Sequence, residues 1–324
     1  MRKKNGKSIA DIASALGIST STVSRALRQL PSISAATTKA VLSEAQRQGY
    51  WKQERKNIVL VLPRSEMAHY DVNMINALHN QMRGRNISWE IIDAENFSII
   101  PERLVHGIIS LDYRDEKSAH LITHFNVPVV AINEASCASD KVFSVHSDAE
   151  NGMRMAMEHL KKLGHKKVMY FHHPADPGKN FCSRNRMNAF NNIGKTLGNV
   201  VWQEQTFPIS RSNGTEFVQL VHQTIKNGFT ALIIEGETGG TFACWHLHAA
   251  GIKVPQDISL IGWESCGVSE NMMPPLTTIG QDFMALATTA IDTFEMIWNG
   301  KTPPLSQAVE YQFFERNSTG KAVK

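Results

Sequence analysis

Apolar residues recur at helical spacing over the first fifty positions. Ser8 opens a helix on which Ile9, Ile12, Ala13 and Leu16 share one face, and Gly17 supplies the stop. Ser19 opens a second, Thr20 to Leu27, with Val23, Ala26 and Leu27 inward and Thr20, Ser21, Ser24, Arg25 and Arg28 outward. Pro31 ends this stretch. Ser34 then starts a third helix to about Gln48, with Val41, Leu42 and Ala45 inward and Gly49 as its stop. Two short helices across a glycine-containing turn form a helix-turn-helix unit, whose second helix presents its first residues to base edges in the major groove.

Beyond residue 57 the pattern changes to short apolar runs separated by helical stretches. The runs Ile58 to Leu62, Trp89 to Asp93, Gly107 to Leu111, Val127 to Ile132, Lys167 to Phe171, Val200 to Gln205, Ala231 to Glu235 and Ile258 to Trp263 read as strands. Asn151 to Leu163, Ser183 to Leu197 and Thr238 to Ala250 read as helices between them. Such alternation predicts parallel sheets with helices on both faces. The boundary between two such units is expected near Gly164-His165. In open α/β sheets a ligand sits beyond the carboxyl ends of the strands, so two facing lobes make a cleft site.

Composition adds limits. At 42% hydrophobic and 20% charged, the 324-residue chain is too apolar to be disordered. No apolar run approaches the eighteen or so residues of a membrane span, and the start Met1 to Ser8 lacks a secretory h-region, so a cytoplasmic protein is expected. Cys137, Cys182, Cys244 and Cys266 are too dispersed for a metal knuckle or a dense disulfide framework. Charge is split: residues 1–56 carry eleven Lys or Arg against three acids, whereas residues 57–324 carry 23 against 27. A basic head on a mildly acidic body suits a nucleic-acid reader, although a solvated basic tail has the same arithmetic.

The string Ser8-Ile-Ala-Asp-Ile-Ala-Ser-Ala-Leu-Gly-Ile-Ser-Thr-Ser-Thr-Val-Ser-Arg-Ala-Leu27, followed by Ile33-Ser-Ala-Ala-Thr37 and Gly49-Tyr50, closely resembles the headpiece of the lactose-repressor/galactose-repressor family. The resemblance implies that Thr20, Ser21 and above all Arg25 read bases, Arg25 by a fork matched to guanine O6 and N7. It implies that Ser8, Thr22, Ser24, Ser34 and Thr37 hold phosphates, while helix capping alone also accounts for the hydroxyls of Ser8, Ser19 and Ser34. Family members continue from the headpiece tyrosine with Pro-Asn and a short hinge helix. Here only seven residues, 51–57, separate Tyr50 from Ile58, reaching about 25 Å when extended, so the usual hinge helix does not fit comfortably. Trp51 is then either a minor-groove wedge or a packing residue between head and body.

The body resembles the family too, in Glu158-His-Leu-Lys-Lys-Leu-Gly-His165, Val254-Pro-Gln-Asp-Ile-Ser-Leu-Ile-Gly-Trp263 and Pro274-Pro-Leu-Thr-Thr-Ile-Gly-Gln-Asp-Phe283. The implied fold is a small all-α helix-turn-helix head (1–50), a shortened linker (51–57), and an α/β periplasmic-binding-protein-like body of two lobes with parallel sheets. The lobes are expected at 58–164 with about 283–308, and at 165–282 with about 309–324. By similarity Tyr70, Arg186, Glu264, Gln281 and Phe283 line the effector pocket, unless they are core filler or an interlobe salt bridge. Gly236-Glu237 replaces the family's Asn-Asp pair, and Glu235, Glu237 and Glu264 disfavour an unpaired phosphorylated effector, though Arg184 and Arg186 can offset them.

Catalytic and cofactor motifs are thin. No GxGxxG or GxxxxGK[ST] is present, Ser269 lacks the second glycine of GxSxG, and His172-His173 and His246-x-His248 lack zinc spacing. No enzyme activity, cofactor or metal is expected. The sequence therefore predicts a homodimeric regulator of palindromic double-stranded DNA that has no membrane partner and is controlled by a small carbohydrate-like effector. The alternatives are a repressor whose body answers to a partner protein or to no small ligand, and, more remotely, a sugar-modifying enzyme.

Overall fold

A computed structural model describes residues 8–27, 33–50, 56–62, 67, 69–93, 105–111, 127–134, 141–172, 181–208, 212–236, 238–264 and 267–323. The head comprises α1 (Ile9–Leu16), α2 (Thr20–Leu27) and α3 (Ala35–Arg47). Each begins at a serine whose hydroxyl accepts a backbone N–H three residues on: Asp11 to Ser8, Thr22 to Ser19 and Thr37 to Ser34. Ser8 and Asp11 complete a reciprocal capping box, and Gly17 ends α1 at φ 65°, where a side chain would be strained. Ile12, Ala13, Val23, Ala26, Val41 and Ala45 form one core, with Leu16, Ile18, Leu27 and Tyr50 packed around it. Leu42, expected inward, is only half-buried.

Two six-stranded sheets follow. The first contains β1 (Lys56–Leu62), β2 (Ile87–Asp93), β3 (Gly107–Ser110), β4 (Val129–Ile132), β5 (Val142–Ser147) and β11 (Ser306–Val309), in the order β11-β5-β4-β3-β1-β2. Its helices include α4 (His69–Met82) and α9 (Phe283–Trp298). The second contains β6 (Lys167–His172), β7 (Val201–Thr206), β8 (Ala231–Ile234), β9 (Ser259–Glu264), β10 (Thr277–Gln281) and β12 (Tyr311–Phe314), in the order β12-β10-β9-β8-β6-β7. Its helices are α5 (Ala149–Lys162), α6 (Phe181–Thr196), α7 (Gly214–Lys226) and α8 (Gly239–Ala249). All pairings are parallel except β10 with β12.

Continuous apolar runs are what strands covered on both faces require. In β1, Ile58, Leu60 and Leu62 join α4 and α9 in one cluster, while Val59 and Val61 join a second. In β8, Ala231 and Ile233 pack with α5 and α6, and Leu232 and Ile234 with α7 and α8. Gly240 has a packing role: a Cβ there would lie 3.0 Å from the Gly262 backbone, so α8 seats on β9 only with glycine at this position.

The chain crosses between the sheets at Asp148, Asp282 and Glu310, one residue each. The first crossing corrects the boundary expected at Gly164-His165. Met153, Ala156, Met157 and Leu160 of α5 pack with Val168, Tyr170 and Ile233, so α5 belongs to the second lobe and Gly164 is a turn within it. Asp148 caps α5 by accepting from Glu150 and Asn151, and its own N–H donates to Val309 O at 2.8 Å. Asp282 caps α9 and accepts from Gln312 Nε2 at 2.7 Å.

The C-terminal residues are stitched to the second sheet. Ser318 Oγ donates to Leu260 O and accepts from Thr277 N, and His165 meets both Thr230 Oγ1 (2.8 Å) and Gly320 O (3.1 Å). A carbonyl only accepts, so His165 carries its proton on Nε2. Burial is the main cause that lowers the pKa of His146, His159 and His165 from the usual 6.5. The unfolded chain then binds more protons than the folded one below that value, so these histidines contribute full stability above pH 6.5 and lose it as pH falls into the folded-state range. The urea midpoint is expected to be flat from pH 8 to 7 and to drop between pH 6.5 and 5, with a shallower drop in His165→Gln; a midpoint that rises on acidification contradicts this assignment.

Candidate functional site

On the head, Thr20, Ser21 and Arg25 are exposed at the start and along the outer face of α2. Ser8, Thr22, Ser34 and Thr37 also make internal contacts: Ser19 Oγ lies 2.7 Å from Ser21 Oγ and 2.8 Å from Thr22 Oγ1, and Ser34 Oγ lies 2.8 Å from Thr37 Oγ1. These hydroxyls are oriented by caps before anything binds, and each oxygen keeps acceptor or donor capacity for a further partner. Ser24 is half-buried on α2. Trp51 lies outside the described residues.

In the body, polar groups gather where strands end. Asn133 follows β4 at φ 59°, Ser147 closes β5, Gln281 closes β10, and Glu235 follows β8. Because β12 runs antiparallel and pairs Tyr311 with Gln281, its first residue lies at the same edge.

Asn133 is the hub. Its Nδ2 donates to Tyr70 Oη at 2.7 Å and to Gln281 Oε1 at 2.9 Å, and its Oδ1 accepts from Ser147 N at 3.0 Å. Ser147 Oγ also donates to Gln281 Oε1, and Cys182 Sγ to Asn133 O at 3.6 Å. The Tyr70 ring rests against Phe283, centroids 5.7 Å apart. Two of the expected pocket residues, Tyr70 and Gln281, thus meet across the two lobes through Asn133, which no sequence motif marks, and a third, Phe283, packs on Tyr70. Burial, with the Cys182 and Asp71 charges adding to it, raises the Tyr70 pKa against the lowering bond from Asn133, so the hydroxyl keeps its proton.

Arg186 lies on the second-lobe side. Its Nη1 donates to Glu235 Oε1 at 3.3 Å, its Nη2 to Tyr311 Oη at 3.2 Å, and its guanidinium carbon sits 4.4 Å from the centre of the Trp263 ring. Burial alone would lower its pKa, but Tyr311 and Glu235 more than offset this and raise it, so the residue stays cationic. Glu264 closes β9, and its side chain, like Glu237, lies outside the described residues. Trp263 and Tyr311 were missed as site residues: Trp263 reads as a strand aromatic, and the short β11 and β12 carry too few apolar positions to announce that Tyr311 returns to the cleft. Among the described residues no three His, Cys, Asp or Glu side chains gather as for a metal ion, and no helix is long and apolar enough to cross a membrane.

A helix-turn-helix head on a two-lobed body with a polar cleft at the strand ends is the architecture of a ligand-responsive DNA-binding regulator. Residues 8–53 match the family model of bacterial regulatory proteins of the lacI family, and residues 157–319 match the periplasmic binding protein-like domain. The chain belongs to the lacI family of bacterial regulatory proteins. It is 22% identical to the lactose operon repressor of Escherichia coli (strain K12), over 95% of this chain and 89% of the relative. It is 24% identical to the HTH-type transcriptional repressor PurR of Yersinia pestis bv. Antiqua (strain Antiqua), over 96% of each. Among solved structures it superposes on the lac repressor dimer bound to operator and the anti-inducer ONPF (TM-score 0.66, 21% identity, 98% of this chain and 100% of that one). It also superposes on the transcriptional regulator CelR in complex with cellobiose (TM-score 0.68, 20% identity, 96% and 99%). These relatives are regulators and not enzymes, so the sugar-modifying alternative falls.

The hub gives a direct test. Asn133→Gly keeps the positive φ and removes three side-chain hydrogen bonds, each worth about 1 kcal/mol net. Urea denaturation is expected to show a loss of about 2–3 kcal/mol; a loss below about 0.5 kcal/mol would mean the network does not hold the lobes.

Proposed function

We propose that this protein is a cytoplasmic, homodimeric transcriptional repressor that reads a palindromic operator in double-stranded DNA and is controlled by a small carbohydrate-like effector held between its lobes. The observation that carries this reading is the pairing of an exposed Thr20-Ser21-Arg25 face on a packed three-helix head with a cleft of convergent polar groups in the body. Residues 1–50 serve as the head, and the connection expected at 51–57 shortens to the stretch before β1, which already starts at Lys56. Arg25, Thr20 and Ser21 read base edges, while Ser8, Thr22, Ser24, Ser34 and Thr37 take phosphates. Tyr70, Arg186, Glu264, Gln281 and Phe283 line the effector site. A carbohydrate class is supported by the cellobiose bound to CelR and by the D-xylulofuranose bound to a second solved neighbour. Dimerisation follows from a single short recognition helix reading only a half-site, and the solvent-exposed Trp245 and Met273 offer apolar surface for it.

In this mechanism the effector changes the population of lobe arrangements. Its differential affinity for those arrangements is the coupling free energy passed to the operator. A second reading, in which the body answers to a partner protein or to no small ligand, draws on the internal bonds that already occupy Tyr70, Gln281 and Arg186.

Anisotropy titrations on DNA selected from a random pool test the head. Operator affinity is expected to fall with salt at a log-log slope of about −0.9 per phosphate contacted, and Arg25→Ala is expected to cost about 1–3 kcal/mol on the selected site and flatten sequence preference. A sequence-blind wild type contradicts the assignment. For the cleft, calorimetry against a panel of mono- and disaccharides is expected to give saturable binding that Arg186→Ala weakens at least about tenfold; no binding by any sugar favours the second reading.

A further inference from the structure

Resting on the reading of the cleft as an effector site, we propose that Glu235 is a specificity-determining residue. It commits the Arg186 charge internally, so the cleft accepts uncharged oxygen-rich ligands and refuses those carrying a carboxylate or phosphate there.

Glu235 is 1% exposed, placed immediately after β8 where Gly236 turns the chain at φ 98°. Its Oε1 takes the Nη1 donor of Arg186, Tyr311 Oη takes the Nη2 donor, and the Trp263 ring covers the guanidinium face. An arginine free to meet an anion offers its fork edge-on for a bidentate contact. Here both terminal nitrogens are engaged. Each terminal nitrogen gives one N–H to these contacts, and two further nitrogens, Arg186 Nε and Trp263 Nε1, are buried with no hydrogen-bond partner among the described residues. Buried donors without acceptors are rare enough in folded proteins to need a reason, and both of these groups can only donate. A hydroxyl, ring or carbonyl oxygen satisfies them. A carboxylate or phosphate meets the same donors but also the neighbouring Glu235 carboxylate, in a site too dry to screen the repulsion. Rejection by an unfavourable charge is a general route to specificity. Arg184, two positions before Arg186 on α6, starts from a different helical face.

The test uses the full-length protein as wild type, Arg186→Gln, Glu235→Gln and the double variant Arg186→Gln/Glu235→Gln, with folding checked by thermal melts. The first probe is inorganic phosphate in isothermal titration. Wild type and Arg186→Gln are expected to be indistinguishable, whereas Glu235→Gln gains a phosphate site that the double variant lacks. The comparison within variants removes any phosphate bound by the head. The second probe set is the matched pairs D-glucose with D-glucuronate, D-galactose with D-galacturonate, and D-glucose with glucose 6-phosphate. Wild type is expected to favour the neutral member of any pair it binds by at least about tenfold, and Glu235→Gln to shrink that ratio. The inference is overturned if wild type has an Arg186-dependent phosphate site, if it prefers the anionic member of a pair, or if a folded Glu235→Gln gains nothing. Should Glu235→Gln not fold, the wild type and Arg186→Gln comparison still decides. If no sugar of any kind binds, the effector reading fails, and the phosphate titrations separately decide whether Glu235 commits Arg186.

Discussion

A parallel strand that is buried on both faces has no side chain to spare for solvent, so its polar business is confined to its ends. β1, β6 and β8 all obey this constraint, sending alternate residues into opposite apolar clusters. Asn133, Ser147, Glu235 and Gln281 all stand at or just past strand carboxyl ends, and the antiparallel return of β12 brings Tyr311 to the same edge. The cleft is thus a by-product of how the sheets must be covered. Its chemistry can vary without disturbing the layers that support it.

The head was legible because everything that specifies it is local. A hydroxyl cap, an amphipathic period and a left-handed glycine lie within a dozen residues of one another, and Ser8, Ser19, Ser34 and Gly17 do what their positions suggest. The strands that appear as short, nearly continuous apolar runs, such as β1, β4, β6 and β8, were legible for a similar reason. β10 was not, because Thr277 and Thr278 are buried polar residues in a strand, nor was β11, whose faces are only partly covered. Helix α5 was assigned to the wrong lobe because nothing in its own pattern says which sheet receives its apolar face. That is settled by Val168, Tyr170 and Ile233, which come later in the chain.

The cleft was legible only in part. Tyr70, Arg186, Gln281 and Phe283 are named from resemblance; the structure joins Tyr70 to Gln281 and Phe283, and Arg186 to Glu235 and Tyr311, and none of these pairings is written in the sequence. Asn133 sits far along the chain from both Tyr70 and Gln281, and no periodicity records such a meeting. Glu235 was noticed as an extra acid, yet its meaning depends on distance to Arg186, which a one-dimensional reading lacks. A charge counted along a sequence is free, whereas the same charge in a buried pair is already spoken for.

The three crossings carry a mechanical consequence. Asp148 and Asp282 each begin a helix as its cap, and Asp148 is bonded to the end of β11 beside the third crossing at Glu310. Three crossings, each one residue wide and those at Asp148 and Asp282 anchored by hydrogen bonds, make a joint like the knuckles of a door hinge, which favours bending of one lobe against the other over sliding. A rearrangement of the two lobes therefore runs most easily along that bend. Lengthening a single knuckle would add play to the joint without touching either site.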